Sequence, residues 1–348
     1  MLISSSQEFF VQCHLTERCN LTCRHCYQTG SGAAELSLVE IRDLLDEITD
    51  MLASWASAYQ LEFASSLNVT GGEPFLRRDL FEILGEMQSR GFGVFLLTNG
   101  TLVDEEKAAR LAALDVKGVQ VSIEGPEEIH DAIRGKGSFA AARRGISCLV
   151  DAGLTVTLNA TLSAMNIDQF GEMIGLCASL GAQRLGFSRL VPSGRGAGLV
   201  DRMIAPERVR AMYETIFSTP VNGLEIVTGD PVASRIRAGD EVGDDGSVAI
   251  GGCAAGVSGL TILPDGTVVP CRRLPLPLGN VRQDSLREIW ADSEILEKLR
   301  DRGQYEGKCG TCRRWANCRG CRAIAYSFSL ACGKADFLAD DPQCCIKH

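Results

Sequence analysis

Six short runs of β-branched and apolar residues, each followed by a stretch with helical spacing, constrain this chain more than any other feature. The runs are Phe10–Thr16, Leu67–Thr70, Val94–Leu97, Val119–Ile123, Thr155–Thr161 and Leu185–Leu190. After the first comes "SLVEIRDLLDEITDML", where Ser37 and Glu40 have capping-box spacing and Leu38, Ile41, Leu45, Ile48 and Leu52 recur on one helical face. Further helical stretches follow near residues 78–90, 104–114, 139–152, 168–180 and 206–217. Repeated strand–helix units imply a parallel sheet with helices outside, doubly wound or curled into a full or partial barrel. Periodicity does not choose between these, but either architecture gathers ligands at the C-terminal strand ends. "CNLTCRHC", "TGGEP", "TNGT" and "SIEGP" all fall there.

The alternation stops near residue 220. Residues 229–252 are rich in Gly and Asp and read as a loop-rich connection. Beyond them, residues 253–348 hold nine of the chain's fifteen cysteines. The expected organisation is a first domain over 1–220, a connecting segment over 221–252 and a metal-organised domain over 253–348. With 348 residues and 45% hydrophobic composition, one large and one smaller core are within reach. A formal charge of −9 argues against a general nucleic-acid or anionic-membrane surface. The start "MLISSSQEFF" lacks the basic and apolar regions of a secretory signal, and no stretch approaches the length of a membrane span. A cytoplasmic protein is expected, and reducing cytosol turns fifteen cysteines toward metal binding rather than disulfides.

Cys19, Cys23 and Cys26 form C-x3-C-x2-C. Structural metal sites use four ligands, and a 4Fe–4S cluster normally takes one thiolate per iron. Three thiolates leave one iron open, unless His25 or Cys13 completes a structural zinc site. Downstream, Cys253 and Cys271 flank Gly266, then Cys309, Cys312, Cys318 and Cys321 give C-x2-C-x5-C-x2-C, and Cys344 follows. Taken alone, these paired C-x2-C units suit zinc. Cys13, Cys148 and Cys177 sit inside strand or helix patterns and read as inert buried thiols. "LREIW" at 286–290 reads as a packing helix with Trp290 in the core.

The cysteine triplet after a first strand, with "GGEP" at 71–74 after the second, resembles the radical S-adenosylmethionine superfamily over residues 10 to about 220. That resemblance implies a partial (β/α)6 TIM-like barrel. It implies that Cys19, Cys23 and Cys26 hold three irons while S-adenosylmethionine chelates the fourth, and that reductive cleavage yields a 5′-deoxyadenosyl radical that abstracts hydrogen. Gly71, Gly72, Glu73 and Pro74 would contact the methionine amine, the glycines by close backbone approach and Glu73 as an acceptor. Ser122 and Asn99 would lie near the cofactor, with Glu124 standing where many relatives carry Asp. Asn159 and Arg189 are further polar candidates at strand ends, and for these four a structural hydrogen bond is the alternative.

The C-terminal cysteines resemble the SPASM domain, a carrier of two auxiliary iron–sulfur clusters, although Cys318 to Cys321 is one residue shorter than the usual spacing. Carried over, Cys253, Cys271 and Cys321 belong to the first auxiliary cluster, and Cys309, Cys312, Cys318 and Cys344 to the second, with Cys332 and Cys345 as rivals. "CRRLPLPLGNV" followed by "SLREIW" looks most like enzymes that mature ribosomally made peptides, which implies a small precursor peptide and an external electron donor such as flavodoxin or ferredoxin. The tail "CRGCRAIAYSFSLACGKADFLADDPQC" resembles tetrapyrrole-modifying enzymes, whose polycarboxylate substrates would favour arginines such as Arg272, Arg273, Arg313, Arg314 and Arg322. A non-catalytic iron–sulfur or zinc-binding protein is the reading from another class.

Overall fold

The structure, a computed structural model, describes residues 7–30, 32, 34–219, 221, 223–238 and 246–346. Strands β1 (Gln7–His14), β2 (Phe63–Thr70), β3 (Gly93–Thr98), β4 (Gly118–Ser122), β5 (Val156–Leu162) and β6 (Arg184–Arg189) realise the six expected runs. Consecutive strands pair in parallel, and β7 (Glu225–Val227) adds to β6. Helices α1 (Leu38–Tyr59), α2 (Leu80–Ser89), α3 (Glu105–Ala113), α4 (Glu127–Arg134), α5 (Ser138–Asp151), α6 (Phe170–Ser179) and α7 (Pro206–Ser218) connect them. The result is the partial, open TIM-like barrel, with its parallel strands in sequence order.

Local chemistry accounts for these elements. Ser37 caps α1 by accepting from the Glu40 amide, while the Glu40 carboxylate accepts from the Ser37 amide at 2.7 Å. Ile41, Leu44, Leu45, Ile48, Met51 and Leu52 then bury one face of α1. In β5 every second residue is buried, as a pleated strand requires. Register carries the polar strand ends to one rim: His14 pairs with Thr70, Thr98 with Val121 and Ser122 with Asn159.

The expected loop over 229–252 is corrected in part. Residues Pro231–Ala238 form helix α8. Asp230 initiates it: one carboxylate oxygen accepts from the amides of Val232 (2.9 Å) and Ala233 (3.2 Å), with Pro231 entering the first turn. The Asp-Pro pair that reads as a turn signal is here a helix start. Residues 239–245 of that segment lie outside the described residues.

The cysteine-rich region also departs from a self-contained unit. Strand β8 (Gly259–Ile262) lies parallel to β1 on its free side, and β9 (Thr267–Val269) and β10 (Gly279–Asn280) continue outward as antiparallel strands. The ten strands make one sheet. Short helices follow, α9 (Leu286–Asp292), α10 (Glu294–Arg300), α11 (Gly307–Thr311) and α12 (Arg322–Ala331). Trp290 of α9 packs edge-on against Phe9 of β1 at 5.1 Å between centroids, and Phe9 packs likewise on Trp55 of α1 at 5.3 Å. Among the described residues no helix is long and apolar enough to cross a membrane.

Candidate functional site

The loop that carries the first three cysteines leaves β1 and is fastened to the end of β2 by backbone alone. Leu15 donates to Thr70 (2.9 Å), Gly72 to Thr16 (2.7 Å) and Glu73 to Arg18 (2.8 Å). A Cβ on Gly71 would lie 2.5 Å from the Thr16 oxygen, and one on Gly72 would lie 2.2 Å from that of Arg18. The glycine pair does permit close backbone approach, but the backbone it admits is the protein's own cysteine loop.

Cys19, Cys23 and Cys26 line a cavity of about 140 Å³ at the barrel rim. Gly71, Gly72, Asn99, Ser122 and Asn159 line the same cavity, so five of the eight expected cofactor-contact residues share a wall with the three thiols. Asn99 reaches the cysteine loop itself, its side-chain amide donating to Asn20 at 2.9 Å and standing 4.0 Å from the Cys19 sulfur.

Glu73, Pro74 and Arg189 do not line it. Glu73 is fully buried, and its carboxylate accepts from the Thr98 hydroxyl (2.8 Å), the Asn99 amide (2.9 Å) and the Phe75 amide (3.3 Å). Burial pushes its carboxyl up to about 7. The expected acceptor for a cofactor ammonium is thus a tether for the β3 terminus. Arg189 is also fully buried, and its guanidinium is divided between Asp230 (2.7 and 3.2 Å) and Asp341 (3.0 and 2.8 Å). It clasps the barrel to the C-terminal segment and has no donor directed at the cavity.

The sequence reading passed over Arg134, which closes the network behind the loop. It donates to Glu124 at 2.5 Å and stands 3.7 Å from the Cys23 sulfur. Glu124 also faces His25 Nε2 at 3.3 Å and accepts from the Thr161 amide at 2.8 Å. Burial opposes its charge, but Arg134 and His25 outweigh burial and hold the carboxyl low. The signal for Arg134 was its position at the last turn of the helix after "SIEGP".

Neither candidate fourth ligand is offered to the triplet. His25 directs Nε2 to Glu124. Cys13 points into an apolar pocket with Ile41, Leu44 and Met87, where burial pushes its thiol up to about 12. Among the described residues no three His, Cys, Asp or Glu side chains converge on a single-ion point. Three thiols around an open cavity, one hydrogen-bonded to an arginine, fit an anionic cluster with a free corner.

The C-terminal cysteines separate into two groups. Cys309, Cys312, Cys318 and Cys344 line one small cavity of about 20 Å³, which neither Cys332 nor Cys345 lines. Cys321 packs instead with Cys253 and Cys271. The short Cys318–Cys321 spacing makes this division possible, because Arg319 and Gly320 both take φ +61° and turn the chain sharply between the two sulfurs. Burial pushes the thiols of Cys318 and Cys344 up to about 12 and about 11, so thiolates there need cationic partners. Arginines surround them: Arg322 stands 3.6 Å from the Cys309 sulfur and otherwise donates to the carbonyls of Phe337 and Ala339. Arg319 donates to the carbonyls of Ala316 and Cys253. Buried guanidiniums bonded to neutral carbonyls suit an anionic guest such as an iron–sulfur cluster.

Residues 14–177 match the family model of the radical SAM superfamily, and residues 253–322 match that of an iron–sulfur cluster-binding domain, SPASM. The chain is 34% identical to the AdoMet-dependent heme synthase of Nitratidesulfovibrio vulgaris, covering 96% of this chain and 91% of the relative. It is 33% identical to the mycofactocin maturase MftC of Mycolicibacterium smegmatis, covering 95% and 81%. Among solved structures, Streptococcus suis SuiB bound to its precursor peptide SuiA superposes with a TM-score of 0.72 over 98% of this chain and 76% of the other, at 14% identity. At that identity the likeness is one of fold.

Proposed function

The chain belongs to the radical S-adenosylmethionine superfamily and carries a SPASM domain, and from that premise we propose that it matures a ribosomally made peptide. The observation that carries the substrate reading is the size of the cavity. At about 140 Å³ it is small beside the roughly 300–1,000 Å³ of an ordinary ligand pocket, and it opens at the barrel rim. Such a space suits one side chain or chain end entering from outside, with the rest of a peptide beyond the rim.

In this reading Cys19, Cys23 and Cys26 hold the cluster, and Gly71, Gly72, Asn99, Ser122 and Asn159 wall the cofactor site. With S-adenosylmethionine and a reduced 4Fe–4S cluster bound, the site supplies a 5′-deoxyadenosyl radical able to remove hydrogen from an unactivated carbon. The chain's own work is to orient the substrate carbon and keep water out. Glu73 and Glu124, both inside the protein, fix the two walls between which the substrate must sit. The C-terminal thiols hold two auxiliary clusters, and a flavodoxin or ferredoxin supplies the electron.

A second reading, side-chain modification of a tetrapyrrole, is favoured by the identity to heme synthases along almost the whole chain. One experiment separates the two. The anaerobically reconstituted enzyme is given dithionite and S-adenosylmethionine, and 5′-deoxyadenosine is measured with Cys23→Ala as control. Short peptides encoded beside the gene and a set of carboxylated porphyrins are then searched for mass changes. A changed peptide supports the proposal, a changed porphyrin replaces it with the second reading, and no 5′-deoxyadenosine from an iron-replete enzyme removes both.

A further inference from the structure

Three arginines line the cavity that holds the cysteine triplet and have no carboxylate partner among the described residues: Arg195, Arg272 and Arg273. The fourth arginine of the wall, Arg134, is already paired with Glu124. Arg195 is exposed with its charge toward Cys19, whereas Arg272 and Arg273 are half-buried, and half-buried cations without a carboxylate are a costly arrangement unless an anion completes it.

Two separate loops deliver them. Arg195 lies in Gly194-Arg195-Gly196, which is pressed onto the cysteine loop: a Cβ on Gly194 would lie 2.3 Å from the Tyr27 carbonyl carbon, and Gly196 donates to the Cys26 carbonyl at 3.0 Å. Gly194, at φ +56°, must therefore be glycine, and the backbone of Arg195 is held at the rim. Arg272 and Arg273 are the central residues of a tight turn closed by Leu274 donating to Cys271 at 2.8 Å. Arg273 is in contact with the Arg189 carbonyl through Nη1 at 3.3 Å, while its Nε is buried without a partner. Its charge faces Cys321, Cys271 and, more weakly, Asp230 as well as the cavity, so part of it serves these neighbours. Arg272 faces His14 and Tyr27; it follows Cys271 in the chain, but among the described residues its guanidinium makes no hydrogen bond to a sulfur.

We propose that Arg195, Arg272 and Arg273 form an anion wall that anchors the substrate through a carboxylate, with Arg272 as the residue most fully given to it. The proposal rests on the peptide reading for the identity of the substrate. Planar guanidiniums on two loops match the two oxygens of a carboxylate, and such charge-assisted pairs fix orientation as well as affinity. Anchoring one carboxylate at the wall leaves the carbons beside it within the cavity lined by the triplet.

The test measures binding to the reconstituted holoenzyme with S-adenosylmethionine present, using three probes: Ac-Gly-Gly-Gly-Gly-OH, Ac-Gly-Gly-Glu-Gly-NH2 and the neutral Ac-Gly-Gly-Gly-Gly-NH2. At least one acidic probe is expected to bind about tenfold or more tightly than the neutral one, and Arg272→Gln is expected to erase that preference. Preference for the first probe assigns a chain-terminal carboxylate, and preference for the second an acidic side chain. Equal binding of all three by the wild type overturns the proposal without recourse to any variant. Loss of S-adenosylmethionine binding in Arg272→Gln, with peptide preference kept, also overturns it by giving the arginine to the cofactor. If a carboxylated porphyrin binds in an Arg272-dependent way and no peptide does, the wall stands and the peptide reading falls. Arg272→Lys, with iron content as the folding check, serves if the glutamine variant does not fold.

Discussion

The two cysteine regions solve the same electrostatic problem in opposite ways. Behind the Cys19–Cys26 loop each buried carboxylate has a protein partner: Glu124 takes Arg134 and His25, and Glu73 takes two amides and a hydroxyl. Around Cys309–Cys321 the buried Arg319 and Arg322 donate to carbonyl oxygens and sulfur, while the buried Asp341 nearby is claimed by Arg189 and the Cys321 amide. Behind the first loop the carboxylates are satisfied before any cofactor arrives, and in the second region the arginines are completed by their guest. That contrast teaches where metal loading and folding are coupled: weakly at the catalytic loop and strongly in the C-terminal region.

The largest effect should come from removing one sulfur in each region. Cys23→Ala is expected to reduce 5′-deoxyadenosine to background and cost about four irons per chain, whereas Cys312→Ala should cost about four irons and keep cofactor cleavage. Metal analysis and chromatography of the products check both. If the two variants lose cleavage equally, the regions are not separable.

Next in size is a paired substitution. Glu124→Gln leaves Arg134 buried without its carboxylate and should destabilise the protein by about 3–5 kcal/mol whether or not metal is present. Arg322→Met should cost a similar amount, about 3–5 kcal/mol, in the reconstituted protein and far less in the metal-free one. Denaturant unfolding with and without iron measures the difference. Equal costs in both forms for Arg322→Met would remove the asymmetry.

Gly72→Ala forces a Cβ against the Arg18 carbonyl and should cost about 1–3 kcal/mol as the cysteine loop lifts from β2. Iron should be lost at the triplet and kept at the C-terminal sites, as read by metal analysis after gel filtration. The smallest effect is on pH dependence. Burial lowers His14 to about 3 and His130 to about 4, so the stability each lends as a neutral ring is complete above about pH 6.5 and declines as pH falls toward those values. Glu73 acts in the opposite sense, losing stability as pH rises from about 4.5 through about 7. Both histidines are in the barrel, so hydrogen exchange at pH 5 against pH 7 should show faster opening of β1 and α4 than of α12.

What the sequence disclosed and what it hid follow from the same physics. The six barrel strands are legible as β-branched and apolar runs between helical stretches, with alternate residues buried in β3 and β5, and the capping box of α1 because it is local. Strands β8 to β10 left little trace: they are two to four residues long, and β8 gains its partner from the other end of the chain. The cysteine triplet is legible by spacing alone. The roles of Glu73 and Arg189 are not, since a carboxylate or guanidinium reads alike whether it meets a ligand or an internal partner. Asp230 and Asp341, which claim Arg189, lie 41 and 152 residues away.

The pairing of β8 with β1 sets a timetable. Phe10 meets Gly259, so the first strand to leave the ribosome waits for roughly 250 more residues, about 12–50 s at about 5–20 residues per second, before its second edge is covered. During that interval β1 is an open parallel edge directly behind the cysteine loop, the kind of edge that invites mispairing with another nascent chain. Iron delivery in the cell therefore meets two substrates in succession: a nascent barrel with an uncovered flank, and a finished sheet in which Cys345 lies against Arg210 of α7, at the other end of the strand order from β8.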